Sequence, residues 1–449
     1  IKALLRIYKM KKITSLEVKK LFGRYDYRID DINMQDLRIL FGANGCGKTT
    51  LLKILDDAAK LKISDIFEIN FENLKISYDD SSYLEFIKDK DKTLFNIKLA
   101  KKKIKSFDIS DQDKAFVDYI RKSSGRRYHE YIHIPSSGVV RRRFMEEKPI
   151  HYILYSPEND IEYFEKIFAD DPNNKAMEFL NLLKEFKASC KFISADRLIS
   201  LKNNKHHSDN EQSIISGLEN IIKQIDKEIS DAAERYSQLS QEKDSSYVKR
   251  LIRNYGDKDK EKELVFKKIE ELKKRIDKLV SLGISTDNFN EDYSTSKINK
   301  GILHALDIYC DDTNEKLNVY KELETKLSSF FELMNLIFDE TQKKIRVNNN
   351  KIEIYDNIRK CKLDVNMLSS GEKHQIILLG DIIFSSANSN LIIIDEPEIS
   401  LHVKWQESFI DNIIDILRRN KVNLIIATHS PFIINKYWDY TQRLGSIEE

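Results

Sequence analysis

Proline, glycine and cysteine are all scarce in this sequence. Its 449 residues include only 6 Pro and 13 Gly, which excludes low-complexity and collagen-like structure. The 4 cysteines, Cys46, Cys190, Cys310 and Cys361, lack metal-ligand spacing and are too sparse for a disulfide scaffold. A reduced cytoplasm is the expected setting. No stretch approaches about 18 uninterrupted apolar residues, so no membrane partner is expected. The opening Ile1-Lys2-Ala3-Leu4-Leu5, followed by Arg6, lacks the pattern of a signal peptide. Met10, just ahead of a strand, reads as a start of the native chain. An excess of one charge is missing too: 75 basic and 73 acidic groups leave a net +2. Whole-chain charge therefore gives no case for nucleic acid, and any basic surface has to be local.

What is present is enough apolar material for a core, 41%, under a heavily ionised surface, 33% charged. The length suits one large domain with an insertion, or two domains. Runs rich in β-branched and aromatic residues predict strands at 13–18, 25–29 and 37–41, then around 67–71, 74–78 and 93–99. Helices are expected over 111–121 and 175–188, and a further strand over 192–194. From 206 to 285 the character changes. Leu218, Ile222, Ile225, Ile229, Ala232, Tyr236 and Leu239 alternate steps of four and three, as do Val265, Ile269, Leu272, Ile276 and Leu279. That is a heptad seam in two helices, which predicts a short antiparallel helical hairpin reaching about 30–45 Å. A helical stretch over 315–339 then leads to a β-hairpin turning at Asn348-Asn349-Asn350.

The chemistry concentrates in four short segments. Gly42-Ala43-Asn44-Gly45-Cys46-Gly47-Lys48-Thr49, which Thr50 extends as a further nucleotide-binding residue, matches G-x-x-x-x-G-K-[ST] with a strand before it and the helical Leu51–Leu55 after it. Its glycines let backbone N–H groups wrap a phosphate at a helix N-terminus. Lys48 would sit against the β- and γ-phosphates, and the Thr49 hydroxyl would bind Mg²⁺. Leu391-Ile392-Ile393-Ile394-Asp395-Glu396 reads as a strand buried on both faces and ending in two carboxylates. Asp395 would hold Mg²⁺, and Glu396 would polarise the attacking water. Ser369-Ser370-Gly371-Glu372, at a helix start, offers a hydroxyl and free N–H groups as a second anion site. A further aliphatic strand, Leu424–Thr428, delivers His429 to the same sheet edge as a sensor of the γ-phosphate.

Together, Gly42–Thr49, Leu368–Glu372, Asp395-Glu396 and His429 resemble the ABC-type ATPases, in particular the soluble SMC-like and OLD-like branch. The resemblance implies an α/β head: a mixed sheet with flanking helices plus an antiparallel β layer, interrupted by a helical, short coiled-coil insertion. The expected division is an N-terminal part of the head over 1–205, the insertion over 206–340, and a C-terminal part of the head over 341–449. It further implies ATP and Mg²⁺ as ligands. The chain would form a head-to-tail dimer with itself, in which Ser369 and Gly371 of one protomer contact the γ-phosphate held by Lys48 of another. Residues 399–402 correspond to the loop that crosses that interface. Glu396–His402 and Thr428–Ile434 are similar to the ATPase subunits of bacterial anti-phage systems such as Septu, PARIS and retron-linked modules, which work with a separate nuclease or toxin. Two departures stand out. Ser370 occupies the place of the usual signature glycine, and no Q-loop glutamine is evident, Ala195-Asp196-Arg197 taking that position.

Lys48 and Ser369 are 321 positions apart, a spacing that disfavours the compact nucleotide-binding subunit of a membrane transporter. No acidic cluster with nuclease spacing appears, and no fused TOPRIM domain is expected. The leading expectation is an ATPase controlling a separate effector in anti-phage defence. The alternative is an SMC-like DNA clamp in repair or chromosome maintenance. It rests on the arginine-aromatic stretch 126–143, where guanidinium groups could neutralise phosphates and aromatics could stack on bases.

Overall fold

The computed structural model describes residues 10–33, 35–89, 93–100, 102–108, 175–202, 213–253, 262–284, 299–385, 389–399 and 401–445. The arginine-aromatic stretch and the helix expected over 111–121 lie outside them. The chain divides into two compact units: residues 1–196, 204–212 and 385–449 form the first, residues 197–203 and 213–384 the second.

In the first unit, β1 (Ile13–Leu21), β2 (Tyr25–Ile29), β4 (Asn73–Tyr78), β5 (Tyr83–Lys88), β6 (Thr93–Lys98) and β7 (Lys105–Asp108) form an antiparallel sheet in the order β2-β1-β4-β5-β6-β7. Alternate residues point inward, as the two-residue strand period requires: Leu74, Ile76 and Tyr78 are buried, as are Leu84 and Phe86. Between β2 and β4 run β3 (Leu37–Phe41), α1 (Lys48–Lys60) and α2 (Ile63–Glu68). The strand expected over 67–71 is corrected here. Ile63, Ile66 and Phe67 follow the i, i+3, i+4 spacing of a helix, and all three are buried. The Phe67 ring meets those of Phe86 and Phe95 edge-on, at 5.3 and 6.2 Å. Next come α3 (Lys175–Lys184), shorter than expected, and β8 (Cys190–Ile193).

The second unit begins with a two-stranded ribbon, β9 (Ile199–Lys202) and β10 (Ser213–Ser216), and continues into α4 (Gly217–Arg253), α5 (Lys262–Ser281), α6 (Lys300–Leu317) and α7 (Lys321–Phe338). The heptad stripe on α5 is buried as expected, through Val265, Ile269, Leu272, Ile276 and Leu279. On α4 the buried set is Leu218, Ile221, Ile225, Ile229 and Ala232, so Ile221 takes the inward place assigned to Ile222. Instead of closing mainly on each other, both helices pack against α6, a helix without a regular apolar stripe. Ion pairs fix this arrangement: Lys268 with Asp307 and Asp311 ties α5 to α6, and Arg250 with Asp312 ties α4 to α6. A coiled-coil hairpin is thus replaced by a helical bundle. Beyond it, β11 (Lys343–Asn348), β12 (Lys351–Asp356) and β13 (Cys361–Leu363) form a small antiparallel sheet, followed by α8 (Ser370–Ser385). The β11–β12 turn lies at Asn349-Asn350, both with positive φ, 50° and 60°. That is the two-residue turn asparagine favours.

The chain then supplies β14 (Leu391–Asp395), α9 (Val403–Arg419), β15 (Asn423–Thr428), α10 (Pro431–Ile434) and β16 (Thr441–Arg443) to the first unit. A five-stranded sheet, all parallel, results in the order β16-β3-β15-β14-β8. Every residue of β14 is buried, as parallel strands covered on both faces demand. Register pairs Asp395 with Ala427 and Thr428 with Phe41. The carboxyl ends of β3, β14 and β15 therefore open on one edge.

Burial and the neighbouring carboxylates of Asp65 and Asp56 push the Asp57 carboxyl, in α1, up to about 7. Its folded-state pKa exceeds the unfolded value of about 3.9. The stability it contributes is therefore complete below that value and is lost as pH rises through about 7. Asp57→Asn, neutral throughout, is expected to melt above wild type at pH 8, with the gap closing toward pH 4. Equal melting temperatures at pH 8 in scanning calorimetry would contradict this.

Candidate nucleotide site at the parallel sheet edge

The loop leaving β3 is shaped by its glycines. Gly45 and Gly47 have φ of 82° and 92°, a left-handed region in which side chains are strained. A Cβ on Gly42 would lie 2.7 Å from the Leu444 carbonyl oxygen and 2.8 Å from Cys46 Sγ. The Tyr27 hydroxyl anchors the loop from outside by donating to the Cys46 carbonyl at 2.7 Å. Burial, first, and the neighbouring Cys46 and Tyr25 hold that phenol well above its ordinary pKa, so it stays a donor. Lys48 is buried and curls back over the loop, its Nζ donating to the carbonyls of Gly42 and Ala43 at 2.8 and 3.0 Å. A loop with its ammonium folded inward and its amides at a helix start is suited to an anion.

Across the edge, the Thr49 hydroxyl donates to Asp395 Oδ2 at 2.8 Å. Asp395 is 2% exposed, and among the described residues nothing donates to its Oδ1. Burial raises its pKa; the Thr49 hydrogen bond and Lys48 work against this, while Glu396 and Glu398 add to it. A buried carboxylate oxygen without a partner, beside a hydroxyl, is the donor chemistry that a hard divalent cation completes. Mg²⁺ fits these residues. No group of three or more His, Cys, Asp or Glu among the described residues could hold a metal by itself. That is consistent with Mg²⁺ taking its remaining ligands from water and phosphate.

Glu396 continues the ladder, its N–H donating to the Ala427 carbonyl at 2.9 Å, but with φ of +45°. This left-handed backbone costs a non-glycine residue about 1–2 kcal/mol. The kink leaves the Glu396 side chain partly exposed and buries that of Glu398. His429 Nδ1 lies 3.1 Å from Glu398 Oε1 and 3.8 Å from Glu396 Oε1. Of the expected site residues, Gly42–Thr50, Asp395, Glu396 and His429 thus stand at one edge of one sheet. Ser194 and Ala195 leave β8, the neighbour of β14, at the same end. Ser400, of the expected crossing loop, lies outside the described residues.

The serine-glycine segment belongs to the second unit. There Ser369 and Glu372 make a capping box. The Ser369 N–H and hydroxyl donate to Glu372 Oε2 at 2.9 and 3.0 Å, and the Glu372 N–H donates to Ser369 Oγ at 3.3 Å. Glu372 Oε1 pairs with Lys343 at 2.7 Å and accepts from the Thr341 hydroxyl. Burial would raise this carboxyl, but Lys343 and Ser369 together hold it below its ordinary range. Glu372 is therefore occupied in building the cap. Ser369 and Ser370 are exposed at the start of α8. Tyr27, Glu398 and Thr428 also contribute, without belonging to any of the four chemistry-bearing segments as a named group. The one linear signal is the pair of carboxylates flanking Pro397.

A phosphate-binding loop and a strand-end aspartate joined at the carboxyl edge of a parallel sheet define a P-loop ATPase domain. The profile of the AAA ATPase domain family matches residues 12–434, and the chain belongs to that family. It is 30% identical over 141 residues to Protein ea59 of Escherichia phage lambda. That match covers 29% of this chain and spans only 26% of the relative's length. Among solved structures it is similar to the Smc head domain of Pyrococcus furiosus bound to the C-terminal domain of ScpA (13% identity, 95% of this chain and 91% of that one, TM-score 0.35). It is also similar to the SMC head domain from Thermotoga maritima (12% identity, 94% and 91%, TM-score 0.30). Scores this low carry no argument about this chain. Among the described residues no helix is long and apolar enough to cross a membrane.

Thr49→Val removes the hydroxyl while keeping the side chain's bulk. Isothermal titration is expected to show ATP affinity in Mg²⁺ falling roughly tenfold, toward the Mg²⁺-free value. An equal loss with and without Mg²⁺ would contradict the assignment.

Proposed function

We propose that this chain is an ABC-type ATPase that binds and hydrolyses ATP, dimerises head to tail around it, and controls a separate effector in anti-phage defence. The observation that carries the catalytic part is the 2.8 Å bond from Thr49 to Asp395, with Glu396 beside it on the same edge. Lys48 leaves its two loop carbonyls for the β- and γ-phosphates. Bound Mg²⁺, held by Thr49 and Asp395, would neutralise charge on those phosphates. Glu396, aimed outward by its left-handed backbone, orients the attacking water and accepts its proton. His429, at the end of β15, senses the γ-phosphate. Donors set in advance around developing charge are the main source of rate in phosphoryl transfer.

The dimer is supported by the Ser369–Gly371 cap: Ser369 and Ser370 are exposed at a helix start suited to an anion, where the Ser369 hydroxyl would exchange its bond to Glu372 for one to phosphate. In this reading they reach the γ-phosphate held by the partner protomer. The effector, a nuclease or toxin, is supported by the resemblance of Glu396–His402 and Thr428–Ile434 to the ATPase subunits of defence systems. Lys48→Ala is expected to abolish ATP binding. Glu396→Gln should keep binding but lower turnover roughly 100-fold or more, the range of a lost general base. An unaltered rate of phosphate release by purified Glu396→Gln protein would refute the assignment.

A further inference from the structure

The turn that leaves β14 carries a second carboxylate, two residues beyond Glu396. Glu398 is 8% exposed, and its Oε1 gathers three groups from the end of β15. The Thr428 hydroxyl donates at 2.6 Å and the His429 N–H at 2.8 Å, and His429 Nδ1 lies at 3.1 Å. The hydroxyl's direction is set, because Thr428 Oγ1 itself accepts from the Ser430 N–H at 2.9 Å. Ser430 Oγ donates to Gln406 Oε1 at 2.7 Å, and Gln406 Nε2 donates to the Leu401 carbonyl at 3.0 Å. One continuous hydrogen-bonded path therefore joins the loop after β14 to the histidine. Only the Glu398 link addresses the imidazole itself. Glu396 Oε1, at 3.8 Å from the same nitrogen, is too distant for a hydrogen bond.

A carboxylate can only accept, so the nitrogen facing it carries the hydrogen. In the neutral ring this leaves Nε2 without a proton, on a side chain that is 46% exposed. The side chain of free histidine in water prefers the opposite tautomer. We propose that Glu398 is a positioning residue for His429: it holds Nδ1 protonated and fixes which ring nitrogen is offered to the substrate. The proposal deepens the ATPase reading and rests on it for its kinetic consequence. The burial of Glu398 costs stability unless its charge is matched. Thr428 and His429 match one oxygen, while among the described residues Oε2 has no hydrogen-bond partner. A carboxylate held this way by the polypeptide end it organises serves geometry.

The test uses the full chain labelled with ¹⁵N-histidine, the His429 signals being assigned by their loss in His429→Gln. Without nucleotide, wild type is expected to show the Nδ1–H tautomer. Glu398→Ala should convert His429 to the Nε2–H form. Glu398→Gln, whose amide oxygen still accepts, should restore the wild-type pattern. In ATP turnover, Glu398→Ala should lower kcat roughly 10–100-fold, as loss of an orienting partner does, with KM for ATP within about threefold. Glu398→Gln should recover most of the loss. An Nε2–H signature in wild type, or an unchanged signature in Glu398→Ala, overturns the proposal. Lack of turnover in wild type would strike the hydrolytic reading instead, leaving the tautomer to decide the role of Glu398.

Discussion

One hydrogen bond spans 346 positions of sequence: Thr49 Oγ1 to Asp395 Oδ2. It can form only because β3 and β14 are held two strand widths apart with their carboxyl ends level, and β15 between them sets that spacing. The parallel register is in turn maintained by aliphatic side chains covered on both faces. Within this frame a buried aspartate becomes tolerable. Its desolvation is countered in part by a hydroxyl on one oxygen and by the lysine nearby, and its second oxygen stays available for a cation. The apolar sheet and the polar edge are thus one design, in which aliphatic strands position groups that would be costly to bury without partners.

The same edge holds a strained residue. Glu396 adopts a left-handed backbone right after a fully buried strand, and the sheet and the Ala427 carbonyl hold it there. The effect is to send two carboxylates, two residues apart, to different environments: Glu396 toward the open side and Glu398 under the end of β15. An extended continuation would have carried them the same way, since residues i and i+2 share a face in a strand. A local backbone cost is exchanged for a division of labour between two chemically identical groups. Strained residues recur at functional sites for this reason.

Much of the architecture was readable from residue order, because each signal was local. The three first strands, the phosphate loop, the aliphatic strands before Asp395 and His429, and the asparagine turn between β11 and β12 all carry their physics within a few residues. Where several options compete, order alone misleads. The 67–71 segment is rich in strand-forming residues, yet Phe67 shares one helical face with Ile63 and Ile66 and packs edge-on against Phe86 and Phe95. The β5 strand alternates Leu84 and Phe86 inward and was legible by period, but went unread between its neighbours. Helix α6 was invisible because its inner face mixes Leu303 and Ile308 with Asp307 and Asp312. Those buried acids pair with lysine and arginine from α5 and α4, and no apolar count anticipates that. Such pairs explain why two heptad stripes meet a third helix. The contact of Glu398 with His429 likewise depends on one positive φ, which a residue name does not disclose.

In the proposed dimer two half-sites, the lysine loop with its strand-end carboxylates and the exposed serine-glycine cap, come together from different protomers around ATP. Sedimentation of Glu396→Gln protein, which should bind without consuming, tests it most directly. With ATP and Mg²⁺ the account predicts a species of two chains that reverts to one when Ser369 is replaced by arginine. A strictly single-chain species at saturating ATP would contradict it.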